Sequence, residues 1–492
     1  MFPESDRIDR LPDRRLSADK LHEECGVLAI YRAAGSAARL AHSGLLALQH
    51  RGQEAAGLAS VDDHGVLHSL RRRGLVASAL PLPRVAELPG RLAIGHVRYS
   101  TVPVDHAENI QPFIAATPFG RLAIAHNGNF KNAPELAAEL CREGALLSTT
   151  MDTELFVHLL TRSQKSDLYA ALRAAAESVV GAFSLTLIVG NRLLALRDAH
   201  GIRPLVIGRL PDSDPGWVVA SESCALRAVG AQPLREVAPG ELIEIDATGW
   251  RSTQLLSSSP RPTPCVFELV YFARPDSEVF GQSPQAARVR MGSELAEQDR
   301  DLPPPDIVVP VPDSGVPAAV GYARRSGVPF EMAILRSRYV GRTFILPSQD
   351  ARTHSIRLKL SVVASAVAGK RVLLVDDSLV RGNTAQTIVA MVREAGAAEI
   401  WLRLASPPIA MPCFLGIDTP TRHELLISRA LAQQPARAAR EAGPLDIGPE
   451  AIDWVRRFVG ADHLRYLSQE GLRRATLGGS FCMGCMDGQY PL

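Results

Sequence analysis

An apolar run that ends in two aspartates and a glycine-containing loop constrains the second half of this chain more than any other feature. The run Arg371–Val375 is followed by Asp376 and Asp377, and the loop Ser378–Thr384 then opens a helical stretch. This order predicts a strand, a loop and a helix whose N-terminal amides can hold a phosphate group. Carboxylates at the strand end can bind sugar hydroxyls directly or through Mg²⁺. An ordinary strand, turn and helix with capping acids is the alternative.

The two halves of the chain are predicted to differ in architecture. In the second half, the run Asp306–Val311 also leads into a turn and a helix, and such alternation is typical of a parallel α/β sheet. The first half has a helical stretch at Leu40–Gln49 and several β-rich runs, which predict a mixed sheet with packed helices. Those runs are Cys25–Tyr31, Arg91–His96, Arg121–His126, Ala182–Val189 and Arg192–Leu196.

The length of 492 residues is too great for one ordinary core, so two or more domains are expected. The proline-rich stretch Ser257–Pro264 suits a linker. We therefore predict a leader over residues 1–24, a first domain over 25–256, a second over 265–425 and a helical C-terminal segment over 426–492. The Ala/Arg-rich stretch at about 430–448 is assigned no role.

The bulk composition excludes several classes of partner. The chain has 54 basic and 52 acidic residues, and this net charge of +2 gives no general attraction for nucleic acid or an anionic membrane. No apolar stretch approaches the roughly 20 residues that cross a bilayer, and Met1–Glu24 lacks the apolar centre of a signal peptide. We expect a cytoplasmic protein, in which seven cysteines are too few for a disulfide scaffold.

Cys25 is a candidate nucleophile because of its position. It follows Glu23 and Glu24 and precedes Gly26, so removal of the leader would give it a free α-amine. An α-amine with a pKa of about 8 can take the proton of the adjacent thiol at neutral pH, and no separate histidine is then needed. The alternative is an ordinary buried cysteine in a strand.

Four blocks of the first half resemble the glutaminase domain of N-terminal-nucleophile amidotransferases: Gln49–Glu54, Gly95–Thr101, His126–Asn129 and Asp152–Glu154. The resemblance implies an α+β domain of sandwiched β-sheets with helices, in which Cys25 attacks glutamine. It implies that Arg98 holds the α-carboxylate of glutamine and Asp152 its α-ammonium. Asn127 and the amide of Gly128 would form the oxyanion hole.

Taken singly, these residues have simpler interpretations. Arg98 could form a surface ion pair, Asn127 and Gly128 a hairpin turn, and Asp152 a helix N-cap. The chain also departs from the family, which usually has a small Ala-Gly turn in place of Val102–Asp105 and a serine in place of Met151. We expect an altered rim of the glutamine pocket with hydrolysis retained.

The second half resembles type I phosphoribosyltransferases. Arg371–Thr384 resembles their signature, Val309–Gly315 their pyrophosphate turn and Arg338–Phe344 their mobile loop. With the glutaminase blocks, these motifs resemble one family, the amidophosphoribosyltransferases. In that family, Ser314 and the two aspartates, Asp376 and Asp377, help hold Mg²⁺, one ion per subunit. Positive charge from the metal and from Arg342 can offset the charge that builds on the departing pyrophosphate.

The loop after the two aspartates is expected to bind the 5-phosphate of the sugar through Ser378, Arg381, Gly382, Asn383 and Thr384. Asn383 departs from the family, which commonly has threonine there, but asparagine still offers hydrogen-bond donors. The arginines of the mobile loop also have a simpler interpretation as a solvated basic face.

Four cysteines are predicted to share one site. Cys482 and Cys485 form a Cys-x-x-Cys pair, which occurs in redox, zinc and iron–sulfur sites alike. Cys265 and Cys413 lie in segments that resemble cluster-bearing amidophosphoribosyltransferases. The resemblance implies one [4Fe–4S] cluster per subunit, with a structural or oxygen-sensing role, and zinc is the alternative.

The implied activity is the transfer of ammonia from glutamine to phosphoribosyl pyrophosphate, which gives 5-phosphoribosylamine, glutamate and pyrophosphate in the first committed step of de novo purine biosynthesis. The resemblance also implies feedback by purine nucleotides and a homotetramer. Glucosamine-phosphate synthases and asparagine synthetases share the glutaminase half but have no need of the loop after Val375. A non-catalytic paralogue that senses nucleotide or redox state is the alternative, supported by Asn383 and the altered rim.

Overall fold

Two antiparallel β-sheets stack face to face in the first half of the chain. The computed structural model describes residues 22–23, 25–99, 107–337, 356–418, 421–433 and 447–492. The strands of this half are β1 His22–Glu23, β2 Cys25–Arg32, β3 Ala55–Val61, β4 Leu67–Arg73, β5 Leu92–Arg98, β6 Phe113–Thr117, β7 Gly120–Phe130, β8 Gly181–Val189, β9 Arg192–Arg197, β10 Val206–Arg209, β11 Gly216–Ala220, β12 Gln232–Glu236, β13 Glu241–Asp246 and β14 Gly249–Gln254.

Helices cover the outer faces of this sandwich. The seven-stranded sheet has the order β12-β10-β11-β2-β5-β3-β4 and the six-stranded sheet the order β14-β13-β9-β8-β7-β6. The helices are α1 Ala37–Ala47, α2 Val76–Ala79, α3 Leu82–Val85, α4 Ala133–Arg142, α5 Asp152–Arg162, α6 Leu168–Glu177 and α7 Ser223–Ala228. Successive residues of a strand point to opposite faces, so one set of side chains packs between the sheets and the other packs against helices. The predicted α+β sandwich is confirmed.

The second half contains a parallel sheet of order β15-β18-β19-β21, with helices on both faces. Its strands are β15 Ile307–Pro310, β16 Ile334–Arg336, β17 Leu360–Val362, β18 Arg371–Asp376, β19 Glu399–Leu404, β20 Ile417–Asp418 and β21 His463–Tyr466. Its helices are α8 Pro284–Gln298, α9 Val316–Ser326, α10 Ala364–Val367, α11 Asn383–Glu394, α12 Leu426–Ala432, α13 Pro449–Val459, α14 Gln469–Ala475 and α15 Gly484–Asp487. The predicted parallel α/β sheet is confirmed.

The sequence predicted a helical C-terminal segment, but the structure shows a strand there as well as helices. It contributes β21, which pairs in parallel with β19 and extends the sheet. Four residues that read His-Leu-Arg-Tyr are too few for a period-two pattern to identify a strand. Helices α13 and α12 pack over the same sheet face as α11.

Two further observations bear on the sequence expectations. Within the described residues, no helix is both long and apolar enough to cross a membrane. The Val102–Asp105 rim and the Arg338–Phe344 loop, which includes Arg342, lie outside those residues.

Candidate functional site

Strand pairing brings Cys25 and Arg98 side by side. Cys25 begins β2, and its Cα partner on β5 is Arg98. Val27 and Ala29, at the same parity as Cys25, pack in the core between the sheets. Cys25 therefore faces the same space, and it is only 8% exposed. The buried Cys25 is thus the cross-strand neighbour of an arginine, a residue type that can hold a carboxylate.

Residues of the Gln49–Glu54 block pack against Arg98 and against the residue after Cys25. A Cβ atom on Gly52 would lie 2.5 Å from the Arg98 backbone nitrogen, so only glycine fits there. A Cβ atom on Gly26 would lie 3.3 Å from Cδ of Arg51, which shows that the Arg51 side chain packs against the residue after Cys25. The Gln49–Glu54 block therefore helps to fix the positions of β2 and β5.

Asn127 and Gly128 lie on β7 of the opposite sheet. Asn127 is fully buried, and its amide donates to Ser221 Oγ at 3.4 Å. The same Oγ accepts a hydrogen bond from the Val27 amide at 3.0 Å, so Ser221 links β2 to Asn127. Gly128 has φ +150°, and a Cβ atom there would collide with the Ala182 carbonyl. Contacts with Ser221 and with β8 thus hold both residues of the pair in place.

Asp152 is the first residue of α5, and Met151 is the N-cap. Its carboxylate lies 3.2 Å from His126 Nδ1 and accepts a hydrogen bond from the Phe130 amide at 3.1 Å. Burial acts to raise the pKa of Asp152, but His126 and the backbone hydrogen bonds outweigh it and lower the pKa below its usual value. Asp152 is therefore an anion at neutral pH, as the binding of an ammonium group requires.

A buried row of alternating charges packs against Gly26, the residue after Cys25, and no sequence pattern indicated it. This ionic row consists of Arg203, Glu268, Arg51 and Glu222, whose side chains are all 0% exposed. Glu268 lies 3.1 Å from Arg203 and 2.6 Å from Arg51, and Arg51 lies 2.5 Å from Glu222. The partners are separated by up to 217 residues, so no local pattern could have paired them. The row joins the two halves of the chain.

Replacing Glu268 with glutamine is expected to lower the free energy of unfolding by about 3–5 kcal/mol, because two buried guanidinium groups lose their shared carboxylate. Urea unfolding measures the change. The control is Glu297→Gln, which removes a partly exposed surface carboxylate 2.6 Å from Arg325 and 2.8 Å from Arg300 and should leave the unfolding midpoint nearly unchanged. Wild-type stability of the Glu268 variant would contradict this role of the ionic row.

The two aspartates of the second half lie at the carboxyl end of the parallel sheet. Asp376 ends β18 and Asp377 follows it, and both are buried. The Asp377 amide donates to Asp376 Oδ1 at 2.9 Å, and the Ser378 hydroxyl donates to Asp377 Oδ2 at 2.6 Å. Ligands of open α/β sheets bind outside this end of the strands.

The predicted pyrophosphate turn packs against the same strand end. The Val311 amide donates to the Val375 carbonyl at 2.9 Å. A Cβ atom on Gly315 would lie 3.2 Å from the Asp376 Cα atom and would collide with the Val375 carbonyl. Ser314, the residue before this glycine, is thereby brought to the edge of the sheet that carries the aspartates.

The predicted phosphate loop ends at the N-terminus of α11. Gly382 is the N-cap, with φ +87°, and Asn383 and Thr384 are the first two residues of this 12-residue helix. The amides and the helix dipole at such an N-terminus favour an anion. Arg381 pairs with Glu424 at 3.2 Å. The structure therefore brings together the predicted loop residues, whereas Arg342 lies outside the described part of the chain.

The four predicted cysteine ligands come together from three segments. Cys265 and Cys482 form an isolated parallel bridge, and the Cys482 amide donates to the Pro264 carbonyl at 2.8 Å. The Cys485 carbonyl accepts from the Ala410 amide at 2.9 Å, which fixes the segment that leads to Cys413. Burial raises the pKa of the Cys265 and Cys485 thiols, and the charges of the neighbouring cysteines raise it further. All four belong to one hydrophobic cluster, in which Cys265 and Cys485 are buried and Cys413 and Cys482 are partly buried.

No group of three or more His, Cys, Asp or Glu side chains among the described residues is arranged as a binding site for a metal ion.

Comparisons with known proteins agree with the two-part geometry. Residues 96–228 match the family described as "Glutamine amidotransferase domain", and residues 287–404 match "Phosphoribosyl transferase domain". The chain is 43% identical over 478 residues to amidophosphoribosyltransferase 2, chloroplastic, of Arabidopsis thaliana, and the match covers 96% of this chain and 80% of the relative. It is 44% identical over 492 residues to the amidophosphoribosyltransferase of Mycobacterium tuberculosis strain H37Rv, covering 98% and 88%.

Two solved structures resemble the whole chain. The glutamine phosphoribosylpyrophosphate amidotransferase from B. subtilis, complexed with ADP and GMP, has a TM-score of 0.83 and 39% identity, and the match covers 95% of this chain and 97% of that one. A structure described as the allosteric regulatory enzyme of purine biosynthesis has a TM-score of 0.84 and 39% identity, with coverage of 95% and 96%.

Proposed function

The chain belongs to the amidophosphoribosyltransferase family, and from this premise we propose how its residues divide the work between two sites. The enzyme takes ammonia from glutamine and transfers it to phosphoribosyl pyrophosphate, giving 5-phosphoribosylamine, glutamate and pyrophosphate in the first step of purine biosynthesis. The observation that best supports our assignment of the glutaminase site is the pairing of Cys25 with Arg98 opposite Asn127.

The direct test of the activity is pyrophosphate release by the purified enzyme under anaerobic conditions. Phosphoribosyl pyrophosphate should be consumed when either glutamine or free ammonia is supplied. If protein with bound iron and a processed N-terminus releases no pyrophosphate with glutamine and none with ammonia, the non-catalytic sensor becomes the better interpretation.

In the glutaminase half, Cys25 is the nucleophile and its own α-amine is the base. This requires removal of the leader over residues 1–24, which is part of the proposal. The buried imidazole of His96 is unsuitable as a base, because burial and the charge of Arg98 lower its pKa to about 3. An α-amine with a pKa of about 8 accepts the thiol proton far more readily at neutral pH.

Glutamine is held by charge at one end and reacts at the other. Arg98 binds its α-carboxylate and Asp152 its α-ammonium, which places the side-chain amide at Cys25. As the thiolate attacks, the carbonyl oxygen becomes an oxyanion that accepts hydrogen bonds from Asn127 and the Gly128 amide. Ammonia leaves with the proton taken by the α-amine, and water then hydrolyses the thioester to glutamate.

The surroundings of the Asn127 side chain allow its amide to act as an oxyanion donor. Its Oδ1 atom is buried and accepts no hydrogen bond from the described residues. A half-turn of the amide would let Oδ1 accept from the Ser221 hydroxyl, which already accepts from the Val27 amide. The NH₂ group would then be free to donate to the oxyanion.

In the second half, ammonia attacks the anomeric carbon of the sugar and pyrophosphate leaves. The 5-phosphate binds at the N-terminus of α11 to Ser378, Arg381, Gly382, Asn383 and Thr384. Asp376, Asp377 and Ser314 supply the oxygen donors that Mg²⁺ prefers, and the ion, when bound, neutralises charge that builds on the pyrophosphate. We also assign Arg342 to the pyrophosphate.

Cys265, Cys413, Cys482 and Cys485 are proposed as ligands of a [4Fe–4S] cluster. Their convergence from three segments in one buried region suits a group that needs four thiolates. Neither half of the reaction transfers electrons, so its role is to fasten the C-terminal tail to the second half.

Anaerobically purified enzyme is expected to contain about four iron and four acid-labile sulfide per chain. Cys485→Ser should lower the iron content sharply, whereas Cys141→Ser, at an exposed cysteine of α4, should leave it unchanged. Stoichiometric zinc without sulfide would assign the four thiols to the alternative metal.

The remaining assignments concern organisation. We propose the domain division at residues 25–256, 265–425 and 426–492 and a cytoplasmic location. Feedback by purine nucleotides is proposed because the B. subtilis relative is complexed with ADP and GMP. A homotetramer is proposed from family resemblance, and sedimentation of the native enzyme tests it.

A further inference from the structure

The oxyanion glycine touches a segment from the other half of the chain. Gly416 has φ +98°, and a Cβ atom there would lie 2.8 Å from the Gly128 Cα atom and 3.0 Å from its carbonyl carbon. Two backbones that are 288 positions apart therefore meet with no room for a side chain. Only glycine, which has no Cβ atom, allows two backbones to approach this closely.

A hydrogen bond fixes the same contact one residue further along β7. The Asn129 side-chain amide donates to the Phe414 carbonyl at 3.0 Å. Asn129 has the same parity as Asn127 in β7, so it faces the same side of the strand. The proposed mechanism gives Asn129 no contact with substrate.

The segment Phe414–Gly416 is held in turn by the C-terminal tail. The Tyr490 hydroxyl donates to the Pro412 carbonyl, and the Tyr490 ring packs edge-on against Phe414 with centroids 5.3 Å apart. The Leu415 amide donates to Cys413 Sγ at 3.3 Å. Contacts within the second half thus hold the segment from the side opposite to its contact with β7.

We infer that Asn129 and Gly416 are positioning residues of the glutaminase, through which the second half of the chain sets the oxyanion hole. On one side Gly128 abuts β8, and on the other it abuts Gly416. Confinement from both sides aligns its amide with the developing oxyanion. This inference rests on the proposed role of Gly128 as an oxyanion donor.

Kinetics of Asn129→Ala and Gly416→Ala test the inference. Each should lower kcat of glutamine-dependent synthesis by at least about 10-fold, because a displaced donor stabilises the oxyanion less. KM for glutamine should change by less than about 2-fold, since Arg98 and Asp152 still bind the substrate. Ammonia-dependent synthesis should keep its wild-type rate.

The matched control is Gly396→Ala. Gly396 has φ +94°, but a Cβ atom there would make only ordinary contact, 3.5 Å from Ala368 Cβ. This variant carries similar backbone strain without a collision and should keep both activities. If Gly416→Ala fails to fold, Asn129→Ala decides the question, because it removes one hydrogen bond and adds no atom.

Three outcomes would overturn the inference: unchanged kcat in the Asn129 variant, equal loss of glutamine- and ammonia-dependent synthesis, or a raised KM with kcat unchanged. Asn127→Ala separates this failure from failure of the proposed oxyanion hole. If Asn127→Ala lowers kcat and Asn129→Ala does not, only the positioning role is wrong. If Asn127→Ala also leaves kcat unchanged, the oxyanion assignment itself is wrong.

Discussion

Cys25→Ala is expected to lower glutamine-dependent synthesis by at least about 10³-fold, because no other group can form the thioester. Ammonia-dependent synthesis should persist at the wild-type rate, since free ammonia reaches the second site without the first. The measurement is pyrophosphate release with each nitrogen source. Cys141→Ala, at an exposed cysteine, is the control and should keep both rates. Glutamine-dependent synthesis by the Cys25 variant would rule out the assigned nucleophile.

Replacing Asp376 and Asp377 together with asparagine is expected to lower synthesis from both nitrogen sources by at least about 10²-fold. Loss of two buried carboxylates removes the groups assigned to Mg²⁺ and to the sugar hydroxyls. Glutamine hydrolysis at Cys25 should continue, because that site lies in the other half. Glutamate and pyrophosphate are measured in the same reaction.

A carboxylate at the opposite end of the same sheet provides the control for this pair. Asp306 precedes β15 and accepts a hydrogen bond from the Arg371 amide, where β18 begins. Asp306→Asn should keep synthesis near the wild-type rate. If the double variant retained synthesis with ammonia, the sugar-phosphate site would have to lie elsewhere.

The sequence predicted those parts of the molecule in which chemistry follows a local pattern. The strand that ends at Asp376 has an apolar run and a following loop, and the structure shows β18 and α11 there. Cys25 and Arg98 belong to separate blocks, and their pairing across β2 and β5 agrees with both blocks serving one site. The family and the fold class are confirmed.

Contacts between distant segments could not be predicted from local sequence patterns. Ser221, Glu222 and Glu268 support the reactive strands, but each lies far along the chain from its partner and has no periodic signal. A glycine at position 416 could serve a turn or a close approach of two backbones. The structure shows the close approach, because Gly128 lies beside it. β21 was missed because a strand of four residues is shorter than the window that periodicity needs.

The leader also meets the second half. β1 pairs antiparallel with β20, so that His22 lies opposite Asp418 and Glu23 opposite Ile417. This pairing follows directly after Gly416, the residue that touches the oxyanion glycine. The segment that positions the glutaminase is therefore bordered by the stretch whose removal is proposed to expose Cys25.

The ratio of glutamate to pyrophosphate formed from glutamine and phosphoribosyl pyrophosphate tests the central claim most directly. One nitrogen is released at Cys25 for each one used at the second site, so the account predicts a ratio of about one at saturating substrates. Both products can be measured in a single reaction of the native enzyme. Glutamate formed with no accompanying pyrophosphate, or pyrophosphate formed with no glutamate, would contradict the joint action of the two sites.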